Sequence, residues 1–454
     1  MITKPLSGLR SGFFLFIPII GLTLSTLLTS NIADAVPAFA RQTDMGCTSC
    51  HFQSYPALNT FGRIFRAGGY ILPGSQKKIE GDNNLSLPGV LNASIIMKLR
   101  YQLNDQVDDN RGEIQWPDEA AILVGGRATE KVGFMMELGQ GPVGAGGEAV
   151  DPDGNTIVDY DKVSLGGNGD GVVDPAERTA FYNAWNGDTS GETHGTFLST
   201  KFHFKIGDGF AIIPFSTDGL GVGYGFELLN TGAQRSQRPI ENRTGFSAGQ
   251  ALGTASGAAT GIAFVYQTPE WFVNYSHWTP TWGNAQVNII GGLANYFRAV
   301  YMPNIGGWDT GFGVSVISGS VESGPTNPAA TTYVDGWTID AQTQGDIGGI
   351  SMGVYTSYGV APKSSATEPN HYNSSTTDDE TAFGIVVKSG VNSDKTQIYI
   401  GYASHDNNAT EVKTNTIGVQ QMLAQNMKLE LFRANSDSAS VADDYTMLML
   451  FAGF

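Results

Sequence analysis

The sequence predicts an all-β transmembrane barrel of the bacterial outer membrane, with about sixteen strands and a small helical segment at its N-terminus. Runs of about ten residues that alternate between apolar and polar side chains recur along residues 89–454. Short turns and longer polar loops alternate between these runs. The chain ends on an aromatic residue, Phe454, which closes the last run. Together these features favour a membrane barrel over a soluble antiparallel sheet.

Residues 1–35 are predicted to be a secretory signal. Lys4 and Arg10 precede an apolar run at residues 13–28, and residues 33–35 have the small-x-small form of a cleavage site. A retained membrane anchor is the alternative, but the run contains Gly, Ser and Thr and ends at that site. No later stretch approaches about 18 uninterrupted apolar residues, so no transmembrane helix is expected.

The chain is acidic. Its net charge is −17, and charged residues make up only 15% of it. A strongly acidic balance argues against nucleic acid as a partner and suits the attraction of cations. The simpler interpretation is that acidic, Asn- and Gly-rich loops keep the surface solvated.

The N-terminal segment, residues 36–74, contains the only two cysteines of the chain. Cys47 and Cys50 have C-x-x-C spacing, and His51 follows immediately. This is the attachment signature of a c-type haem, in which the thiols form thioethers with the vinyl groups and the histidine ligates the iron. A disulfide or a thioredoxin-like pair would not need the histidine, and no βαβ pattern surrounds the site. The sequence therefore predicts one covalently bound haem c, in agreement with an exported chain.

A short helix is predicted after this motif. Apolar residues recur at helical spacing, and the predicted landmarks are Pro56 at the first helical position, the stripe Leu58, Phe61 and Phe65, and a left-handed cap at Gly68 and Gly69. About forty residues bury little core on their own. The segment is therefore expected to need the haem and a surrounding wall.

Three arginines of the segment, Arg41, Arg63 and Arg66, are candidates for pairing with the haem propionates. The alternative is that they are ordinary solvated cations. The distal haem ligand is expected to come from elsewhere, because Met45 is too close to Cys47 to reach round the macrocycle.

Several further residues of the segment carry a family resemblance: FARQT at 39–43, the C-x-x-C-H motif at 47–51, Pro56, Leu58, FGRxF at 61–65, and Gly69-Tyr70. Over about thirty-five residues it resembles the N-terminal segment of the fused cytochrome–porins of iron-oxidising bacteria, in which a monohaem cytochrome precedes an outer-membrane barrel. The resemblance implies an Fe(II):cytochrome c oxidoreductase that oxidises extracellular Fe(II) and passes electrons through the haem to a periplasmic c-type cytochrome. Beyond residue 75 only the architecture is similar.

Related segments occur in haem-bearing barrels whose electron donor is unknown, so two other functions stay open. One is a conduit that carries electrons outward to an external acceptor. The other is a transport porin with a structural or sensory haem. A single haem cannot span a membrane core of about 30 Å, so any conduit requires the haem to lie within the lumen.

Residues 75–88 are predicted to be a polar linker, and sixteen strands are predicted after it. They lie at 90–104, 119–129, 131–140, 195–206, 209–218, 258–268, 270–279, 294–303, 307–319, 333–343, 349–360, 381–391, 395–405, 413–424, 426–436 and 443–454. The turn pattern predicts extracellular long loops, periplasmic short turns, and termini that are periplasmic or luminal. A barrel this wide leaves an aqueous lumen, and the polar, basic inner face of the first strand predicts that the N-terminal segment enters it as a haem-bearing plug.

His203 is the candidate distal ligand. It lies between Phe202 and Phe204, so it faces the lumen if they face lipid. A lumen histidine in a polar network is the alternative, and an axial methionine would raise the haem potential relative to histidine.

The long loop at 141–194 contains an acidic motif similar to a calcium-binding loop. Asn168, Asp170, Asp174 and Glu177 fall at ligand positions, but the first position is Gly166, which removes one ligand. The loop is therefore either a weak Ca²⁺ site or simply acidic. Its carboxylates could also collect Fe(II), because divalent ions of this kind accept oxygen ligands.

Overall fold

The computed structural model describes residues 37–54, 57–76, 78–80, 86–90, 92–104, 113–142, 194–217, 247–252, 254, 259–280, 292–322, 331–391, 394–408, 411–424, 426–437 and 444–454. The predicted signal sequence at 1–35 and the calcium-like residues Asn168, Asp170, Asp174 and Glu177 lie outside these ranges.

Sixteen long antiparallel strands close into a barrel, as the alternating runs predicted. The strands are β1 (Ala93–Asn104), β2 (Glu113–Arg127), β3 (Val132–Pro142), β4 (His194–Lys205), β5 (Phe210–Thr217), β6 (Ala259–Gln267), β7 (Trp271–Pro280), β8 (Ala294–Tyr301), β9 (Trp308–Ser318), β10 (Gly336–Ile347), β11 (Ile350–Ala361), β12 (Glu380–Val391), β13 (Thr396–Asp406), β14 (Glu411–Ala424), β15 (Met427–Asp437) and β16 (Asp444–Gly453). Each strand pairs with its chain neighbours, and β16 pairs with β1 to close the barrel. A two-residue strand, Asn304–Ile305, adds to the start of β9.

Strand β2 differs most from the prediction, because it begins at Glu113 rather than at 119. The added residues include Pro117, which has no N–H to donate to a neighbouring strand. The pairing of β1 with β2 shifts register between Lys98 and Arg100, opposite this proline. Such irregularities are where a sheet accepts proline.

The connections alternate between short turns and longer loops, although the loop-side connections at 407–410 and 438–443 are themselves short. Residues 407–410 join β13 to β14 on the long-loop side, although this connection is only four residues long. The predicted linker at 75–88 is partly structured, since Lys78–Glu80 pairs with Ser86–Pro88. A second small pair, Ser320–Glu322 with Thr331–Tyr333, extends the loop between β9 and β10.

The outer face of the barrel is apolar and the inner face is polar. Ile400 and Ile339 point outward and are 55% and 49% exposed, whereas Asn274 and Arg298 point inward and are fully buried. Aromatic pairs such as Trp271–Tyr301 lie on the outer face, as in the girdles of membrane barrels. An apolar band around a closed barrel is stable in lipid. The protein is therefore located in the bacterial outer membrane, with its short turns in the periplasm.

The N-terminal segment contains two helices and a 3₁₀ turn: α1 (Pro37–Thr43), Cys47–Ser49, and α2 (Thr60–Ala67). Helix α2 begins at Thr60, so the expected start at Pro56 was wrong. Asn59 is the N-cap, because its side chain accepts a hydrogen bond from the Gly62 N–H at 2.9 Å. The predicted end is confirmed, since Gly69 has φ +74°.

The segment lies inside the barrel, near the short turns. It bonds to the wall at separate strands: the Ala38 N–H donates to Ser94 Oγ on β1 at 2.7 Å, and the Ser54 hydroxyl donates to Gln397 on β13 at 2.9 Å. The Gln53 side chain donates to Ser351 Oγ at 2.8 Å. The lumen therefore holds the segment in its periplasmic half.

A short helix, α3 (Ala248–Ala251), enters the lumen from the loop between β5 and β6. The Ala248 N–H donates to Ser357 Oγ on β11 at 2.9 Å, and Leu252 is buried. The lumen is thus narrowed at two levels. Among the described residues, no helix is long and apolar enough to cross a membrane.

The outward face of β13 generates a stability prediction. We expect Ile400→Arg, in the middle of the strand, to lower the free energy of unfolding by about 2–4 kcal/mol, because it puts a charge in the apolar band. Ile347→Arg is the matched control. Ile347 is similarly exposed at 58% but lies at a short turn, where the cost is about 0–1 kcal/mol. Denaturant unfolding in lipid vesicles measures both, and equal losses would contradict the assignment of the band.

Candidate functional site

The C-x-x-C-H motif forms a compact loop in the lumen. The amides of Cys50 and His51 both donate to the carbonyl oxygen of Cys47, at 3.1 and 2.9 Å. Neither cysteine is in a disulfide, and Cys47 is buried. Burial raises the pKa of the Cys50 thiol to about 11. The Cys50 side chain is therefore in the thiol form, and the structure contains no disulfide between the two cysteines.

The His51 imidazole is oriented by the backbone. Its Nδ1 lies 3.1 Å from the carbonyl oxygen of Ala57. A carbonyl can only accept, so Nδ1 carries the proton and Nε2 is the nitrogen that can coordinate a metal. Burial, with added repulsion from Lys428 and Arg66, lowers the pKa of His51 to about 4, although the Ala57 bond opposes the shift. The ring is therefore neutral at neutral pH, which is the form that binds iron.

Helix α2 packs directly on the motif. The Asn59 N–H donates to the Cys50 carbonyl at 3.0 Å, and its side chain donates to the carbonyls of Thr48 and Ser49. A Cβ at Gly62 would lie only 2.1 Å from the Cys50 carbonyl oxygen. A glycine is therefore required at this position for the helix to approach the loop.

Aromatic side chains pack together between α1, α2 and the wall. Phe39 stacks on Tyr70 with ring centroids 4.5 Å apart, and Phe65 lies edge-on to both rings at 5.7 and 5.8 Å. Phe61 stacks on Phe65 at 6.3 Å. These rings provide apolar surface beside the motif. Together with the thiols and the oriented imidazole, they fit a covalently attached haem.

His203 faces the lumen from β4 and is fully buried, as its position between two outward phenylalanines predicted. Its ring lies 5.7 Å from that of Tyr70, and a Cβ at Gly69 would come within 2.6 Å of the His203 Cβ. These contacts are with the end of α2, whereas His51 contacts Ala57. Arg66 lies within electrostatic range of both imidazoles. Distal ligation by His203 stays a prediction.

The three arginines have different partners. Arg63 is 1% exposed and forms an ion pair with Asp309 on β9 at 2.5 Å, while it also donates to the Leu58 carbonyl. Arg41 is exposed and donates to the carbonyl oxygen of Ala93 on β1. Arg63 and Arg41 thus tie the segment to the wall. Their propionate role stays a prediction, as does that of Arg66.

Sequence reasoning did not identify Asp309 or Lys428 as part of the site. Asp309 reaches Arg63 from the start of β9, and Lys428 acts on His51 from β15. The sequence feature that could have identified them is a charged residue at a lumen-facing position of a predicted strand. In the part of the chain that the structure describes, no group of three His, Cys, Asp or Glu side chains could hold a metal ion.

Neither a family model nor a curated protein matches the chain. A loop-deletion mutant of OmpT, an outer membrane protein of Vibrio cholerae, is similar in structure with 12% identity and a TM-score of 0.45, over 80% of this chain and 99% of that chain. A BenF-like porin from Pseudomonas fluorescens Pf-5 has 10% identity and a TM-score of 0.43, over 80% and 98%. OccAB4 of Acinetobacter baumannii has 10% identity and a TM-score of 0.42, over 80% and 97%.

The contact between Gly62 and Cys50 generates a prediction for the haem-free protein. We expect Gly62→Ala to increase the rate of maleimide labelling at Cys47 and Cys50 by about tenfold or more, because overpacking of 1–3 kcal/mol would push α2 off the loop. Gly46→Ala is the matched control, since nothing lies within 4 Å of a Cβ there. Equal labelling rates in the two variants would show that α2 does not cover the motif.

The ion pair between Arg63 and Asp309 generates a second prediction. Asp309→Asn leaves the buried guanidinium without its carboxylate, which costs about 1–3 kcal/mol. We expect the amides of α2 to exchange with deuterium about tenfold faster or more. Asp406→Asn, at the opposite end of the barrel, should leave this exchange unchanged. Unaltered exchange in Asp309→Asn would mean that the pair does not anchor the helix.

Proposed function

We propose that the protein is an electron-transfer cytochrome of the outer membrane, with one haem c covalently bound in the periplasmic half of the lumen. It takes electrons from extracellular Fe(II) and passes them to a periplasmic c-type cytochrome. The single observation that carries the proposal is the C-x-x-C-H loop inside the barrel, with His51 oriented so that Nε2 can ligate iron.

The residues of this chain have distinct roles in the proposal. Cys47 and Cys50 would hold the haem, His51 would ligate the iron, and the carbonyl of Ala57 fixes the imidazole. When bound, the haem supplies the one-electron redox chemistry. The aromatic rings of Phe39, Phe65 and Tyr70 pack on one another and add apolar surface to the segment. No general base or nucleophile is needed.

The location supports electron transfer to a periplasmic partner. The segment lies near the short turns, for example beside Ser351 and Gln397 at the starts of β11 and β13. A soluble cytochrome can approach this end of the barrel. The resemblance of the segment to the fused cytochrome–porins supports Fe(II) as the donor, and the net charge of −17 suits attraction of a cation to the outer face. Insoluble Fe(III) would then stay outside the cell.

A transport porin with a structural haem is the second candidate. The observation that favours it is the polar inner wall, with residues such as Asn274, Ser276 and Gln342 facing the lumen. The N-terminal segment and α3 both occupy the lumen, which argues against free passage of solutes. The haem potential distinguishes the proposed function from an outward conduit. A very low potential would favour electron flow to an external acceptor.

The test uses the full haem-loaded chain in liposomes with only the loop side exposed. External Fe(II) should reduce the haem promptly, whereas an equally reducing, impermeant donor without iron should not. Cys47→Ala with Cys50→Ala should abolish covalent haem, and His51→Ala should lose the low-spin spectrum and reduction by Fe(II). His277→Ala is the control histidine, because its ring contacts Tyr275 on the outer face.

Reduction by both donors would indicate a general conduit rather than an iron oxidase. Failure of outside reduction, with normal reduction by a donor on the turn side, would contradict inward electron flow. Measurable solute flux in that case would favour the transport porin.

A further inference from the structure

Asn59 joins the cysteine loop, residues 47–51, to helix α2 through both its backbone and its side chain. Its backbone N–H donates to the Cys50 carbonyl at 3.0 Å, and its amide nitrogen donates to the carbonyls of Thr48 and Ser49 at 3.2 and 3.1 Å. Its side-chain oxygen accepts the hydrogen bond that caps the helix. Three of these bonds therefore end on the loop, and the fourth ends on α2.

The bonds to the loop close one end of a narrow hairpin, in which His51 lies opposite Leu58 on an antiparallel run. At the other end, the Phe52 N–H donates to the carbonyl oxygen of Ala57 at 2.9 Å. The same carbonyl orients the His51 imidazole, whose Nδ1 lies 3.1 Å from it. The pairing of the two runs, which Asn59 holds, therefore sets the position of this carbonyl relative to the imidazole.

The run that contains Ala57 is also fixed from behind. The Leu58 carbonyl accepts hydrogen bonds from the Arg63 guanidinium at 3.0 Å and from the Gln344 side chain on β10 at 3.2 Å. Ala57 and Leu58 are both buried. This run is therefore the fixed side of the hairpin, to which Asn59 ties the cysteine loop.

The cysteine loop is the more open side. Thr48 and Ser49, between the two cysteines, are exposed. The amides of Cys50 and His51 bond to the Cys47 carbonyl and close the 3₁₀ turn, but these bonds lie within the loop. The last carbonyls of a helical turn lack partners within that turn, and the side chain of the asparagine supplies them here.

The hydrogen bond between His51 and Ala57 has a chemical consequence for a bound iron. The partner of the second ring nitrogen fixes the orientation of a metal-ligating histidine and raises its basicity. A carbonyl that accepts the Nδ1 proton thus makes Nε2 a stronger donor, and a stronger donor favours the ferric state. Hydrogen bonding of this kind is one of the means by which a protein adjusts a haem potential.

We propose that Asn59 is a positioning residue for the haem ligand. It holds the cysteine loop in register with the run that contains Ala57, and so keeps the Nδ1 proton of His51 on the carbonyl. This proposal rests on the proposed haem attachment. Its consequence is that a residue outside the C-x-x-C-H motif lowers the haem potential, by acting through the backbone on the imidazole.

The test compares Asn59→Ser with Asn59→Ala in the full chain. Serine is also a good N-cap, so it keeps the acceptor for the Gly62 N–H but is too short to reach the carbonyls of Thr48 and Ser49. Alanine removes both kinds of bond. Deuterium exchange of the α2 amides should therefore stay near that of the unmodified protein in Asn59→Ser and become about threefold faster or more in Asn59→Ala.

Two readouts report the His51 imidazole itself. In the haem-free chain, nitrogen NMR with labelled histidine shows which ring nitrogen carries the proton. The ratio of the Nδ1–H form to the Nε2–H form should fall about twofold to tenfold in both variants, which is the range for one weakened hydrogen bond. In the haem-loaded chain, the oxidised-to-reduced ratio at a fixed poised potential should fall by about the same factor, because a weaker donor favours the ferrous state.

Asn373→Ser is the matched control, because Asn373 has the same bonding pattern in the loop after β11. Its side chain donates to the carbonyls of Ala361 and Asp378 at 2.9 and 3.1 Å, and it accepts from the Ser375 N–H at 2.9 Å. This loop lies at the opposite end of the barrel from the short turns, so both His51 readouts should be unchanged. Heat-modifiable mobility on gels shows whether each variant has folded as a barrel.

Unchanged readouts in folded Asn59→Ser, with changes in Asn59→Ala alone, would overturn the proposal, since Asn59 would then act only as a helix cap. Unchanged readouts in both variants would overturn it as well. Either result leaves the proposed function intact. Absence of covalent haem in the unmodified chain would instead refute the proposed function, and the proton ratio of the haem-free chain would still test how His51 is positioned.

Discussion

The N-terminal segment depends on the wall around it, and most features of the molecule follow from that dependence. About forty residues bury too little apolar surface to be stable alone. The barrel supplies the missing contacts: Asp309 pairs with Arg63, Gly133 lets the backbone of Gly69 approach, and β1 receives α1 through Ser94. A barrel of sixteen strands is wide enough to admit this segment. The barrel therefore stabilises the segment, and the segment holds the C-x-x-C-H motif on which the proposed function depends.

Most of the barrel could be predicted from the sequence, because lipid and lumen impose opposite polarities on alternate residues. The pattern around His203, with Phe202 and Phe204 on either side, is confirmed by full burial of the histidine and exposure of both rings. The errors arose where a local interaction overrode the pattern. The start of β2 was predicted too late because a register shift lets Pro117 enter the strand, and the start of α2 was misplaced because Asn59 rather than Pro56 begins the helix.

The C-x-x-C-H motif could also be predicted from the sequence, because Cys47, Cys50 and His51 lie close together in the chain and their spacing alone identifies the motif. The rest depends on register. Asp309 and Arg63 are 246 positions apart, and Lys428 acts on His51 from a strand near the other end of the sequence. Alternation fixes which face a residue lies on, but it does not fix which residue of another strand or of the lumen lies opposite. Long-range charge pairs of this kind therefore need the structure.

The height of the segment in the barrel bears on how an electron from outside could reach a haem. The motif lies in the periplasmic half, next to residues such as Ser351 and Gln397 at the ends of strands. The membrane core is about 30 Å thick, so a donor confined to the loop surface would be separated from the haem by roughly half of that thickness. Between them, α3 and Leu252 pack into a buried cluster that extends to Ala67 of α2. On the proposed function, the donor must therefore enter the upper lumen before it transfers its electron, and the acceptor can approach the short turns directly.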